Sequence, residues 1–389
     1  MRRVDIPALR STLLALAAVS ALGAFASASA CGGRADSAPS NGAAVAPAGS
    51  ASPSPSSSAT CDASAAAEIE VSTDDLNGFP PYAVAGCTLA YVSRAGDLVV
   101  RDLATRTESV VAPAAERPRR PTASVDLVAW EADEGGRSVV RVRRAGVVQT
   151  VVGAFASAGE PRASAASVAF TGWNGATAAA DTDVWLYDAS TGEARVVLGG
   201  VGQQRFSDVS SAYVAASDFS EDPDGRFDND GKDLSDVVLF DRATGAIVKR
   251  SLAGKQAFPM LAEGGIVAYL AWSGVHPEPK LVAYELRSGS VVGDPLADVK
   301  VADVVYASSE YARPAVAAGT LEWVANPDGR TTLYRAPANG SSPPVAVNGL
   351  DDVRLYAPSP TTAGFTVLAT SPRTPTTSAV VPRLRAVPR

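Results

Sequence analysis

The stretch DVWLYDASTGEARVV, Asp183 to Val197, decides how this chain folds. Val184, Leu186 and the residues after Gly192 alternate with polar or aromatic neighbours, the period of two that marks a strand. Asp188 to Gly192 reads as a turn: an aspartate can bond its own backbone two residues on, and glycine supplies the positive φ of a bulged hairpin. The segment is a β-hairpin with no residue set that could do chemistry. The chain nevertheless repeats it, as DVVLFDRATGAIVKR at Asp236 to Arg250 and as DLVVRDLATRTESVV at Asp97 to Val111.

With the turn glycine as anchor, three more copies emerge: RSVVRVRRAGVVQTVV around Gly146, KLVAYELRSGSVV around Gly289 and TTLYRAPANGSS around Gly340. The copy at Asp97 carries Arg106 where the glycine would stand. The hairpins begin at 97, 137, 183, 236, 280 and 331, an irregular period of 40 to 53 residues. That is the range of propeller blades. A short strand with a large residue precedes each hairpin, at Tyr91, Trp130, Phe170, Val214, Tyr269 and Trp323, and a seventh lies at Val367. Weaker segments such as GFPPYAVAG and KQAFPMLAEGG come before these. Each unit is thus four strands, and a four-stranded sheet with two apolar faces is stable only when stacked radially on others. The expected fold is all-β, a β-propeller of seven four-stranded blades, with six as the alternative. The last unit ends after one candidate third strand, so AAEIEVS, Ala66 to Ser72, is expected to supply the missing outer strand and close the ring.

QAFPMLAEGGIVAYLAWSGVHPEPKLVAYELRSG, Gln256 to Gly289, resembles the repeats of TolB-like, WD-repeat-like periplasmic β-propellers. The likeness lies in a proline in the first strand, G-x-V-A-Y in the second, and D-x-x-L-Y-D-x-x-T-G across the hairpin at Asp183. It covers most of residues 75 to 389. The resemblance implies a non-catalytic, extracytoplasmic binding scaffold and names no ligand, because propellers host many functions.

The N-terminus reads as an export signal over residues 1–30: Arg2, Arg3 and Arg10, then an apolar run rich in small residues. ASAC, Ala28 to Cys31, resembles a bacterial lipobox, which implies lipidation of Cys31. Residues 31–60 are then a lipidated cysteine and a tether of Ala, Ser, Gly and Pro, spanning roughly 30 Å on average. The chain has three cysteines, so a lipidated Cys31 leaves Cys61 and Cys87 as a disulfide pair. Residues 61–389 form the propeller. The expected location is a membrane-anchored lipoprotein, in the outer membrane facing the periplasm or the cell surface, with Gly32 fitting that sorting. The formal net charge is −7, and no basic stripe offers a nucleic-acid surface. The membrane is expected to be met through the Cys31 lipid alone, and the protein is read as a monomer.

Catalytic chemistry is not visible. His276 is the one histidine, and no nucleophile elbow or phosphate-binding glycine loop accompanies it. The one charged constellation is DFSEDPDGRFDNDGKDLSD, in which Asp222, Asp224, Asp228, Asp230 and Asp233 could ligate Ca2+ on a turn-rich loop. No cofactor is required. The same inter-strand loop carries Trp173 in the third blade, and Trp272 with His276 in the fifth. Loops of one class emerge on one face, so these residues are expected to form a binding rim for an envelope protein or a glycan. The alternatives are a propeller lyase or glycosidase using Asp224 or Asp230 on an extracellular carbohydrate, and a calcium-stabilised adhesin.

Overall fold

The computed structural model describes residues 60–67, 69–76, 78–175, 181–227, 234–250, 256–272, 281–294, 297–307, 313–325, 330–350, 353–372 and 381–389. Their strands form seven antiparallel four-stranded sheets. Blade one is β1 (Tyr82–Ala85), β2 (Thr88–Val92), β3 (Leu98–Asp102) and β4 (Glu108–Ala112). Blade two is β5 (Arg119–Ala123), β6 (Leu127–Glu134), β7 (Arg137–Arg144) and β8 (Val147–Thr150). Blade three is β9 (Ser157–Ser164), β10 (Ser167–Trp173), β11 (Asp183–Asp188) and β12 (Glu193–Leu198). Blade four is β13 (Gln204–Val209), β14 (Tyr213–Asp218), β15 (Asp236–Asp241) and β16 (Ile247–Arg250). Blade five is β17 (Gln256–Ala262), β18 (Ile266–Trp272), β19 (Leu281–Ser290) and β20 (Val299–Ala307). Blade six is β21 (Ala315–Ala317), β22 (Thr320–Ala325), β23 (Thr332–Pro337) and β24 (Val345–Ala346). Blade seven has a first strand in two pieces, β25 (Val353–Leu355) and β26 (Ser359–Pro360), then β27 (Phe365–Pro372) and β28 (Arg383–Pro388).

The repeated hairpins share one turn. Asp102, Asp188 and Asp241 each accept the amide two residues on, at 2.7, 2.7 and 2.8 Å. The residue at the glycine position has positive φ in all three: 61° at Arg106, 78° at Gly192 and 73° at Gly245. Each donates its amide to the turn aspartate's carbonyl at 2.8 Å. Arg106 therefore adopts the glycine conformation at some steric cost.

Blade five departs from the expected hairpin. Gly289 pairs with Val267 inside the sheet, and the turn lies between Ser290 and Val299. The reason is packing. A Cβ on Gly289 would lie 1.7 Å from Asp298 Oδ1, and that carboxylate accepts the Tyr269 hydroxyl at 2.8 Å. The glycine here makes room for a side chain and turns nothing.

Tyr91, Trp130, Phe170, Val214, Tyr269, Trp323 and Val367 are all buried at the middle of their blades. Six apolar clusters follow from them, most of them spanning neighbouring blades, as when Val92 and Leu98 of blade one meet Val128 and Trp130 of blade two.

The N-terminal segment closes the ring. Glu70 bridges Arg383, Leu384 donates to the Ile69 carbonyl at 2.8 Å, and Val71 donates to the Pro382 carbonyl at 3.0 Å. The expected strand over Ala66 to Ser72 is shorter than its sequence suggested, because Ala63–Ala66 form a 3-10 turn. Cys61 and Cys87 form a disulfide across 26 residues, fastening that turn to blade one. No helix among the described residues is long and apolar enough to cross a membrane.

Candidate binding site at the axial mouth

The first strand of every blade faces the axis, and proline recurs in it for a physical reason. Ladder pairing breaks between Arg119 and Thr122, Ala169 and Thr171, Arg205 and Asp208, and Ala257 and Met260. At each break one residue of the first strand has positive φ: Arg120 (52°), Glu160 (57°), Phe206 (55°) and Phe258 (57°). Pro121, Pro161 and Pro259 follow three of them, with Ser207 in the fourth. A bulge is where a strand tolerates a residue without an amide proton.

The edge left by the bulges is satisfied by the preceding blade. The Glu160 amide donates to Glu131 at 3.2 Å and the Ala163 amide to Thr122 at 3.1 Å. Two blades on, the Phe258 amide donates to Ser217 at 3.0 Å and the Leu261 amide to Asp208 at 2.8 Å. At the ring closure, the Val84 amide donates to Ser359 at 3.1 Å. The residue two beyond the bulge is thus an acceptor in Thr122 and Asp208, and is Met260 in blade five. In blade three that position is Arg162, which can only donate.

The bulge residues converge. Arg120, Glu160, Phe206 and Phe258, together with Arg313 just before β21 and Phe79 from the segment before β1, line a cavity of about 230 Å³. Phe206 lies 4.6 Å from Phe258, 5.0 Å from Phe227 and 6.3 Å from Phe79, centroid to centroid. Three guanidiniums sit over the Phe79 ring: Arg120 at 4.8 Å, Arg162 at 5.0 Å and Arg313 at 5.7 Å. Below it, Arg162, Asp208, Met260 and Arg313 line an axial channel of about 160 Å³ with residues of the other first strands.

Charges at the mouth are arranged across blades. Burial alone would raise the Glu160 carboxyl, but its ion pair with Arg205 and the field of Arg120 hold it below the usual range. Arg120 also meets Glu131 at 3.2 Å and Asp75 at 3.3 Å. Burial, and then the neighbouring Arg313 charge, push Arg162 down to about 9.

Of the residues singled out from sequence, Trp173, Trp272 and the start of the acidic loop, among the described residues, lie at the same end. Gln204 pairs with Asp218, where the acidic loop leaves β14, and Ser157 pairs with Trp173. The described part of the loop folds inward: Phe227 donates its amide to Gln203 at 3.0 Å and enters the aromatic cavity. Asp222 accepts the amides of Asp224 at 3.0 Å and Leu234 at 2.7 Å, and Asp224 pairs with Arg226 at 2.8 Å. Asp228, Asp230 and Asp233 lie outside the described residues, as do Cys31 and His276. Among the described residues, no group of three or more His, Cys, Asp or Glu is placed to hold a metal ion. Trp173 ends β10 partly buried, its indole nitrogen without a hydrogen-bond partner. Trp272 ends β18. Sequence reading placed the loops on this face and missed Arg120, Glu160, Arg162, Phe206, Phe258 and Arg313. The available signal was the residue before the first-strand proline, at Arg120, Glu160, Phe258 and Arg313.

Seven radial sheets, inner first strands and a shared axial channel decide the architecture. The chain is a seven-bladed β-propeller. This propeller is similar to the β-propeller domain of the Trilobed protease from Pyrococcus furiosus, with TM-score 0.55 and 12% identity over 82% of this chain and 93% of that one. It is also similar to the tricorn protease, with TM-score 0.51 and 10% identity over 79% of this chain and 34% of that one. TolB from Acinetobacter baumannii gives TM-score 0.42 and 13% identity over 70% of this chain, which spans 61% of that one. At these identities the likeness is one of fold. No protein-family model and no curated protein matches the sequence.

Proposed function

We propose that this propeller is a non-catalytic binding scaffold of the cell envelope, exported, anchored through a Cys31 lipid, and taking a glycan or a segment of an envelope protein at the axial mouth. One observation carries the reading: the strained bulge residues of four blades converge on one aromatic and arginine-lined cavity. Non-glycine residues at positive φ cost stability, and a fold keeps such strain where it serves a site. An aromatic cavity with a few convergent polar groups suits a bound ligand. The Cys61–Cys87 disulfide supports export, since such bonds persist in oxidising compartments. The acidic loop is read as a wall of this site through Phe227, with Ca2+ on its aspartates as a separate possibility to be tested by chelation.

The test is binding of the full chain to a glycan panel and, on intact cells, cross-linking to envelope proteins. A Phe227→Ala variant is expected to lose the ligand while keeping its melting temperature within a few degrees. A Trp173→Ala variant reports on the outer rim. Retained binding in Phe227→Ala would place the site elsewhere. A reducing-sugar assay on the same panel separates binding from cleavage, and release of new reducing ends would overturn the non-catalytic reading.

A further inference from the structure

We infer that the axial channel is an oxyanion site, holding a carboxylate or phosphate group of the ligand against Arg162 and Arg313. The inference deepens the reading of the axial mouth as the binding site by naming the charge its ligand carries. Arg313 is 5% exposed. One arm of its guanidinium is spent on backbone, with Nη2 donating to the Pro259 carbonyl at 2.8 Å. The other arm, Nη1, is buried and has no hydrogen-bond partner. Arg313 lines both the aromatic cavity and the channel below it. Arg162 lines the channel too and sits over the Phe79 ring, which it shares with Arg313.

Two guanidiniums placed against one ring repel each other, and burial penalises both charges. The quadrupole of Phe79 offsets this only in part. Asp208, the acidic residue of the channel lining, favours the Arg162 charge through its field, as Glu160 and Asp75 do, but its own oxygens accept the amides of Val209 at 3.0 Å and Leu261 at 2.8 Å. Position explains why the Arg162 side chain is not spent on the next blade's backbone. Its counterparts Thr122 and Asp208 hold the amide of the next blade. Arg162 has no such duty, since Val209 is served by the side chain of Asp208. An arginine at a position held by an acceptor in blades two and four and by Met260 in blade five, beside a second arginine with an idle buried donor, matches the planar two-donor recognition of an oxyanion. A channel of about 160 Å³ admits a small anionic group and excludes a macromolecular surface.

The experiment is titration of the full chain with sodium phosphate and, separately, sodium acetate, each against sodium chloride at matched ionic strength, read by calorimetry and by melting temperature. Saturable binding above the chloride control is expected for one of the two salts, and which one it is assigns the group. Arg162→Gln is expected to weaken that binding roughly tenfold or more while melting no lower than wild type in chloride, because it removes a buried repulsive charge. Arg94→Gln, an exposed arginine of blade one, should bind as wild type. Equal binding by Arg162→Gln and wild type, or no saturable response to either anion, would overturn the inference. If anions have no effect yet Phe227→Ala loses its glycan or protein ligand, the anion site falls and the axial-mouth reading stands. If anions bind through Arg162 while Phe227→Ala keeps its ligand, the anion site stands and that reading falls.

Discussion

Arg205 of blade four forms an ion pair with Glu160 of blade three, whose own amide is held by Glu131 of blade two. Three consecutive blades are thereby tied at one bulge, and Glu160 is 2% exposed. Its carboxyl is held below the ordinary value of 4.5. A depressed carboxyl contributes stability that is complete above the unfolded value and is lost as pH falls through the folded one. Glu160→Gln keeps the shape and removes the charge. It is expected to cost about 1–3 kcal/mol at neutral pH, since Arg205 is left without its counter-charge. Below pH 4.5 the difference should shrink, as the unfolded chain takes up its proton first and folded Glu160 follows at a lower pH. Urea denaturation of both proteins between pH 7 and pH 3 measures it, and a difference constant across that range would refute the assignment.

The axial site could not be read from sequence in the way the blades could. Asp188, Gly192 and their counterparts recur at fixed spacing because one local turn needs the same residues each time, so the hairpins stand out as a repeat. Arg120, Glu160, Phe206 and Phe258 occupy one structural position yet are two aromatics, a cation and a carboxylate. No single residue type marks the position, because the site takes different groups from different blades. The proline that follows three of them repeats, and it reports on the bulge. Gly289 shows the converse failure: it matched the turn pattern, but Asp298 and Tyr269 had claimed its space.

That contrast gives a paired prediction. Gly192 has φ of 78° and nothing within 4 Å of an added Cβ. Gly192→Ala should therefore cost only the conformational penalty, about 1 kcal/mol. Gly289→Ala drives a methyl into the Asp298 carboxylate and displaces the acceptor of the buried Tyr269 hydroxyl. Overpacking and a lost buried hydrogen bond together should cost roughly 3 kcal/mol or more. Thermal denaturation of the two variants ranks them, and equal losses would mean that blade five turns at Gly289 after all.

The disulfide acts on ring closure. Opening a loop of 26 residues by Cys61→Ser with Cys87→Ser is expected to cost about 3 kcal/mol in the chain-entropy account. The loss should appear equally on reduction of wild type, because the bond constrains the unfolded chain more than it shapes the fold. Denaturation of wild type with and without reductant, beside the double variant, checks both statements. A variant as stable as the oxidised protein would show that Ile69 to Val71 holds without its fastening.

Asp62 sets a pH limit on the same closure. Its carboxylate accepts the Ser64 hydroxyl at 2.6 Å and Arg106 Nε at 3.0 Å, and these bonds lower it from 3.8 to about 2. The sign follows from the depressed value: the clasp is intact above pH 3.8 and is lost as pH falls toward 2. Arg106 is also the residue that occupies a glycine conformation in the blade-one turn, so this contact offsets some of its backbone strain. Asp62→Asn should leave the segment before β1 open to attack already at pH 4. Pepsin cleavage compared between variant and wild type isolates the effect, because the enzyme's own pH response cancels in the ratio. That ratio is expected to be well above one at pH 4 and to approach one at pH 2. A ratio of one at both values would mean that the backbone pairing of Ile69 and Val71, and the disulfide, close the ring without help from Asp62.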